Sequence, residues 1–279
     1  MLDRRVRVRE VRNLGAANYL LTVQAEEQAR LVLPGQFVML KCAEEVDEPP
    51  LLRRPFSIFA VRGRARTGKP EALEILVKDV GLGTRKLAQA RPGQELYMLG
   101  PQGRSYRLPD RAGEEPRYAC LAAGGVGIAA MYLLARELIS RRVTPVLFYG
   151  ARSSAELVLR DRFERLKIQV QYSTEDGSLG ERGLVTAPLG RFLKQHARSG
   201  VLLYACGPWA MMRAAHLLAA RHRVPCQVSL EARMGCSLGA CMGCVVRAQN
   251  SAGGPDFIRV CMEGPVLDSS LIDWETPPL

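Results

Sequence analysis

Four cysteines near the end of the chain have a spacing that can do redox chemistry. Cys236, Cys241 and Cys244 read Cys-x4-Cys-x2-Cys, and Cys261 follows after sixteen residues. This is the plant-type arrangement for a [2Fe–2S] cluster. A two-iron rhomb needs four thiolates, three of them from one tight loop, so the backbone must curl over the inorganic sulfides. Gly235, Gly239 and Gly243 permit that curl with little side-chain bulk and let amides point at sulfur. Ala240 and Met242 suit an apolar wall that excludes water and tunes the potential. Structural zinc also takes four cysteines, but usually as two separated pairs with hairpin spacing. Three ligands in one glycine-rich loop favour iron–sulfur. The other cysteines, Cys42, Cys120, Cys206 and Cys226, stand apart in apolar, strand-like surroundings. Their even count is not a disulfide argument in a chain without an export signal.

Several shorter strings are suited to phosphates and flavins. Arg53-Arg54-Pro55-Phe56-Ser57 offers forked guanidinium donors for a pyrophosphate and a hydroxyl for a flavin ring edge. Gly81-Leu82-Gly83-Thr84 opens a helix, where free amides can hold phosphate oxygens. Gly100-Pro101-Gln102-Gly103 closes the same region. Gly124-Gly125-Val126-Gly127 lies where a strand gives way to a helix, so a dinucleotide phosphate can approach the backbone. Cys206-Gly207-Pro208 recurs at the end of a later strand, at the sheet edge where ligands of open α/β folds bind. Each string read alone is equally a turn, and Cys206 is equally a plain buried thiol. The histidines, His196, His216 and His222, lie in Arg-rich helical stretches and read as solvated. No acid–base triad competes with redox chemistry, and no side chain is assigned a catalytic role.

The elements that must position these residues change character along the chain. Up to about residue 110, short apolar or β-branched runs at 5–11, 19–24, 36–41, 55–61, 73–80 and 95–99 are punctuated by Gly and Pro. They predict a small antiparallel β-barrel, interrupted by a helix over 84–90 with Thr84 as its N-cap. Strands at 117–123, 145–149, 168–173, 201–206 and 226–230 then alternate with helices at 128–142, 156–166, 186–197 and 209–222. That alternation predicts a parallel sheet covered on both faces. The last stretch is rich in Cys, Gly and Met and predicts a hairpin of 245–248 and 257–261 around a Gly253-Gly254-Pro255 turn. The expected fold class is therefore a β-barrel plus an α/β domain: barrel over 1–110, parallel-sheet domain over 111–228 and a small cluster domain over 229–279. The short link at 110–116 leaves a close-packed cleft between the first two, a common place for cofactors.

Bulk properties exclude other classes. The formal charge is +11, but the arginines alternate with apolar residues, as in Val6-Arg7-Val8-Arg9, without a basic face interleaved with aromatics. No nucleic-acid partner is expected. A solvated basic surface, or attraction of phosphate-rich cofactors or an acidic partner, accounts for the excess. No apolar stretch reaches membrane length and no apolar segment follows the basic start, so no membrane association is expected and a cytoplasmic location follows by default.

The order Arg-Pro-x-Ser, Gly-x-Gly-Thr, Gly-Pro-x-Gly, Gly-Gly-x-Gly and Cys-Gly-Pro resembles the ferredoxin–NADP reductase superfamily. The string from Ser229 to Cys244, Ser-Leu-Glu-Ala-Arg-Met-Gly-Cys-Ser-Leu-Gly-Ala-Cys-Met-Gly-Cys, is similar to the electron-transfer subunits of dihydroorotate dehydrogenase B. The resemblance covers nearly the whole chain. It implies FAD on the barrel, held by Arg54, Pro55, Phe56 and Ser57, by Leu76, Val77 and Lys78, and by Gly83 and Thr84. It implies NAD on the α/β domain, at Gly124, Gly125, Gly127, Cys206, Gly207 and Pro208, and the cluster on Cys236, Cys241, Cys244 and Cys261. It further implies an FMN-containing catalytic partner that oxidises dihydroorotate in pyrimidine biosynthesis, in a heterotetramer, with electrons passing through the cluster and FAD to NAD+. The sequence departs from the family pattern at three places. Ala129-Ala130-Met131 stands where Pro usually follows Gly-Gly-x-Gly. Lys78 replaces a frequent Arg, and Gln102-Gly103-Arg104-Ser105-Tyr106 replaces Leu-Gly-Asn-Gly-Phe. The alternatives are a related subunit of a sulfide dehydrogenase or of an NADH-dependent ferredoxin–NADP oxidoreductase. A different class would be an iron–sulfur sensor or a zinc-stabilised module. Met234, Leu238 and Met242 offer either a docking patch or packing around the cluster.

Overall fold

A computed structural model of the chain describes residues 2–42, 48–63, 68–109, 117–249 and 256–278. The first part is a closed antiparallel barrel in the strand order β1 (Leu2–Gly15), β2 (Asn18–Gln24), β5 (Pro70–Lys78), β4 (Arg54–Gly63), β3 (Phe37–Leu40) and β6 (Glu95–Gln102). Alternation along the strands decides which side chains fill it. On β5, Leu73, Ile75 and Val77 point into the barrel core with Val6, Leu21, Val38 and Met98. Glu74 and Leu76 therefore face the other way. On β4 a register shift between Ile58 and Ala60 lets Phe59 and Ala60 both leave the barrel interior and join the core of the next domain.

The second part is a seven-stranded sheet in the order β10 (Glu181–Arg182), β9 (Gln169–Thr174), β8 (Thr144–Ala151), β7 (Tyr118–Gly124), β11 (Val201–Cys206), β12 (Cys226–Ser229) and β15 (Val266–Asp268). All its pairs are parallel except β12 with β15. Successive residues of β7 serve opposite cores. Cys120 and Ala122 pack with α5 (Thr186–His196) and α6 (Trp209–His222). Ala119, Leu121 and Ala123 pack with α3 (Tyr132–Ser140) and with the barrel residues Leu20, Phe59 and Leu76. The strand order reverses between β7 and β11, which creates the crevice where open α/β sheets take ligands.

Local chemistry moves several element ends. The helix expected over 84–90 is α2 (Leu82–Ala88), and Thr84 sits at its third position, not at the N-cap. Its hydroxyl accepts from the Val80 and Gly81 amides at 2.9 and 3.1 Å, so Thr84 closes the turn from inside a capping box. The helix expected over 128–142 begins instead as a 3-10 turn, Gly125–Ala130, before α3. The helix expected over 156–166 shrinks to a 3-10 turn, Ser154–Glu156, and the short α4 (Arg160–Glu164). The C-terminal hairpin forms from β13 (Val245–Arg247) and β14 (Phe257–Arg259), while its Gly253-Gly254-Pro255 turn and the link at 110–116 lie outside the described residues. The histidines are all half-buried, and two of them are engaged by protein. His216 hydrogen-bonds Ser269 Oγ at 2.9 Å and stacks on Trp274, and His196 packs on Phe192 and Tyr118.

Candidate flavin and iron–sulfur site

Barrel, sheet and C-terminal segment enclose a cavity of about 1010 Å³. One wall is the barrel: Arg54, Pro55, Phe56 and Ser57 at the start of β4, Leu76 and Lys78 at the end of β5, and Gly83 and Thr84 of α2. Of the two neighbouring arginines, Arg53 is committed to Asp3 through two bonds of 2.9 and 2.8 Å, which leaves Arg54 on the cavity. The Arg54 guanidinium donates to the Leu52 carbonyl at 2.8 Å, which steadies it in place. Val77, adjacent to two cavity residues, keeps its side chain in the barrel core and does not line the cavity.

The opposite wall comes from the C-terminal segment: Leu230 to Gly235, with Cys241 and Gly243. The cluster loop therefore borders the space that the barrel residues face. A one-electron carrier on the loop and a flavin in the cavity would be neighbours, with no further carrier between them.

The cysteine loop is shaped around something other than its own side chains. Ser237, Gly239 and Met242 take positive φ of 54°, 77° and 55°, which curls the chain. Amides point at sulfur: Leu238 and Cys241 donate to Cys236 Sγ at 3.3 and 3.4 Å, Gly243 to Cys241 Sγ at 3.5 Å, and Cys261 to Cys244 Sγ at 3.4 Å. The amides of Leu238 and Cys241 hold the Cys236 thiol down at about 6, in favour of the thiolate a metal takes. The four thiols sit close enough to act on one another: Cys236 on Cys241, and Cys261 on both Cys244 and Cys236. Among the described residues no three His, Cys, Asp or Glu side chains converge on a single-ion position. The buried Ser237 hydroxyl oxygen finds no hydrogen-bond partner among the described residues, as expected for a donor awaiting an acceptor in the loop. Burial differs around the four: Cys244 and Cys261 are buried, Cys236 is half-buried and Cys241 is exposed. Of the three residues that offer either a docking patch or packing around the cluster, Met234 is buried and packs inward, while Leu238 and Met242 are about half exposed.

The nucleotide edge is built differently. Gly124 to Gly127 follow β7, and Cys206 to Pro208 follow β11, so the two strings meet across the crevice. A Cβ on Gly127 would lie 2.2 Å from the Cys206 carbonyl oxygen, and one on Gly124 would lie 2.7 Å from Pro208 Cδ. One on Gly207 would lie 2.9 Å from the Gly124 nitrogen. These glycines are required by protein–protein approach. Gly125 alone in the run combines a positive φ, +52°, with open space where a Cβ would go. Cys206 is buried and does not line the cavity, and burial pushes its thiol well up, with Glu231 adding to the rise.

Among the cavity residues to which the sequence assigns no role are Phe37, Leu52, Glu231, Arg233 and Pro278. Glu231 opens onto the cavity but is walled by protein, and this desolvation raises its carboxyl above the usual range. Its position directly after a strand at the carboxyl edge of the sheet was the available signal.

A flavin-sized cavity beside a thiolate loop, on a barrel joined to a nucleotide sheet, defines a flavin- and nicotinamide-linked electron-transfer protein of the ferredoxin–NADP reductase fold. A family model for the iron–sulfur cluster binding domain of dihydroorotate dehydrogenase B matches residues 231–273, and one for the oxidoreductase NAD-binding domain matches residues 121–217. The chain is 37% identical over 260 residues to a dihydroorotate dehydrogenase B (NAD(+)) electron transfer subunit of Desulforamulus reducens, covering 92% of this chain and 93% of the relative. It is 36% identical over 264 residues to the subunit of the same name from Geobacillus thermodenitrificans, covering 94% and 95%. Among solved structures it superposes on an NADH-dependent reduced ferredoxin–NADP oxidoreductase with a TM-score of 0.79 at 24% identity, over 97% of this chain and 90% of that one. A ferredoxin NADP+ reductase of Neisseria gonorrhoeae with bound FAD and NADP follows the same fold at a TM-score of 0.62 and 15% identity, over 79% and 91%. The chain belongs to the family of dihydroorotate dehydrogenase B electron-transfer subunits.

Proposed function

We propose that this chain carries electrons from a dihydroorotate-oxidising partner to NAD+, through a [2Fe–2S] cluster on Cys236, Cys241, Cys244 and Cys261 and an FAD in the adjoining cavity. The observation that carries the reading is that one cavity is lined both by Arg54, Ser57 and Lys78 and by Cys241 and Gly243 of the cluster loop. Nicotinamide exchanges two electrons as hydride, the cluster exchanges one, and flavin does either, so flavin belongs between them. Arg54 and Lys78 neutralise phosphate charge, Ser57 offers a hydroxyl to the ring edge, and the loop amides orient sulfur. Gly125 leaves room for the nicotinamide dinucleotide's phosphates. The barrel over 1–110, nucleotide domain over 111–228 and cluster segment over 229–279 divide this work. The partner carries FMN, docks where Leu238 and Met242 flank the cluster, and forms with this chain a cytoplasmic heterotetramer.

The test is a coupled assay. Alone, the purified chain oxidises NADH with artificial acceptors and leaves dihydroorotate untouched. Adding the FMN-bearing catalytic subunit produces dihydroorotate-dependent NADH formation. Leu238→Glu lowers the coupled rate roughly tenfold, equivalent to about 1.4 kcal/mol at the interface, and spares the artificial-acceptor rate. Dihydroorotate oxidation by this chain alone would falsify the division of labour.

A further inference from the structure

Away from the cavity, one carboxylate is fully buried between the barrel and the nucleotide sheet. Glu74 faces outward from β5 and has no exposed surface. Arg162 of α4 reaches it with both terminal nitrogens, at 2.8 and 3.3 Å, and Arg62 of β4 adds a contact of 2.8 Å through Nε. The Arg162 guanidinium also lies over two rings, 5.3 Å from the centre of Phe59 and 4.9 Å from that of Tyr132. Those rings stack on each other at 4.8 Å. Phe59, Arg62 and Glu74 belong to the barrel, and Tyr132 and Arg162 to the nucleotide domain. A forked, ring-stacked guanidinium fixes direction as well as distance, which an ammonium does not.

The barrel is held separately to the cluster segment. Gln102 of β6 donates to the Ser237 carbonyl at 3.3 Å, and Arg104 bridges to Pro265. That stitch sets the cluster loop against the barrel. The Glu74 joint instead sets the nucleotide side: the turn Gly125–Ala130 leads into Tyr132, and Val126 and Ala129 line the cavity.

We propose that Arg162, through Glu74, is a positioning residue that fixes the nucleotide domain against the barrel so that a bound nicotinamide meets the flavin at reacting distance. The inference rests on the flavin and nicotinamide reading above. Hydride passage from nicotinamide C4 to flavin, two electrons and one proton moving together, requires atoms about 3–3.5 Å apart, and a misplacement of about 1 Å costs up to 10²-fold. Entry of single electrons tolerates looser geometry.

The test is Arg162→Met in the full-length holoprotein, with FAD content, affinity for an unreactive reduced nicotinamide analogue, and that analogue's long-wavelength charge-transfer band with the flavin. Flavin bleaching by NADH and by dithionite is followed in stopped flow. The variant keeps its FAD and its analogue affinity within about threefold, loses most of the charge-transfer band, and is bleached by NADH about 10- to 100-fold more slowly. Its dithionite rate is unchanged, and Arg162→Lys recovers only part of the loss. Should Arg162→Met shed FAD, the pair Glu74→Gln with Arg162→Met, in which Arg62 keeps Glu10, carries the same comparison. An unchanged NADH rate, or NADH and dithionite rates that fall together, would overturn the positioning role. A parent protein that holds no FAD or is not bleached by NADH would overturn the functional reading instead.

Discussion

The cluster loop and the nucleotide edge are both rich in glycine, and they use most of it differently. In the loop, a Cβ on Gly243 would keep an ordinary 3.6 Å from Cys241 Sγ and one on Gly235 a tighter 3.3 Å, while Gly239 is closed by Met262 at 2.9 Å. The backbone amides beside these glycines aim at sulfur and not at a neighbouring turn. At the edge, Gly124, Gly127 and Gly207 are consumed by the approach of β7 and β11 turns to each other, and Gly125 alone of that run faces open space with a positive φ. Glycine content therefore does not mark a ligand site. What a side chain would collide with separates the two uses.

Three substitutions would break or sharpen that contrast. The largest effect is expected from Cys241→Ser, which removes one thiolate of a two-iron rhomb. Iron and acid-labile sulfide should fall from about two of each per chain to near zero, while the flavin spectrum persists. Stoichiometric zinc without sulfide in the parent protein would sink the cluster assignment. Next is Gly127→Ala. Its Cβ would meet the Cys206 carbonyl, a backbone group that cannot swing aside. A loss of about 3 kcal/mol, the upper end of overpacking, should appear as a fall of roughly 6–12 °C in apparent Tm with iron content per folded chain unchanged. The smallest stability effect belongs to Gly125→Ala, which meets no atoms and carries only the left-handed backbone cost of about 1 kcal/mol. Its larger consequence should be a raised KM for NADH at little change in kcat for artificial acceptors. A KM equal to the parent's would remove Gly125 from the nucleotide site.

Legibility in the sequence followed how local each determinant was. The cysteine spacing and the loop glycines are contiguous, and the loop they describe is present as a loop. Short apolar runs punctuated by Gly and Pro place the barrel strands, and α6 runs over the span its pattern predicts. The start of α2 was misplaced because Thr is equally suited to the N-cap and to the third position, and the capping box is settled by backbone amides of Val80 and Gly81. The strand β15 is three residues, Val-Leu-Asp, too short to carry a period. Val77 and Leu76 are adjacent in the chain but separated by the barrel wall. The Glu74–Arg162 pair spans 88 positions, and nothing near either residue in the chain names the other. Ring stacking by Phe59 depends on a bulge in β4 that no residue type announces.

The antiparallel strand β15 closes the edge of an otherwise parallel sheet, and its rung Ser229 with Val266 joins the two ends of the stretch that contains all four cluster cysteines. That stretch is an excursion that leaves the sheet and returns to the position beside its departure. Its closure entropy is already met by the rung, not by the metal. The excursion is also tied in along its length, because Met234, Cys244, Val246, Ile258 and Val260 share one hydrophobic core with Cys120, Ala122 and Leu203 of the sheet. The same rung covers the edge of β12, which would otherwise be free to pair with another chain.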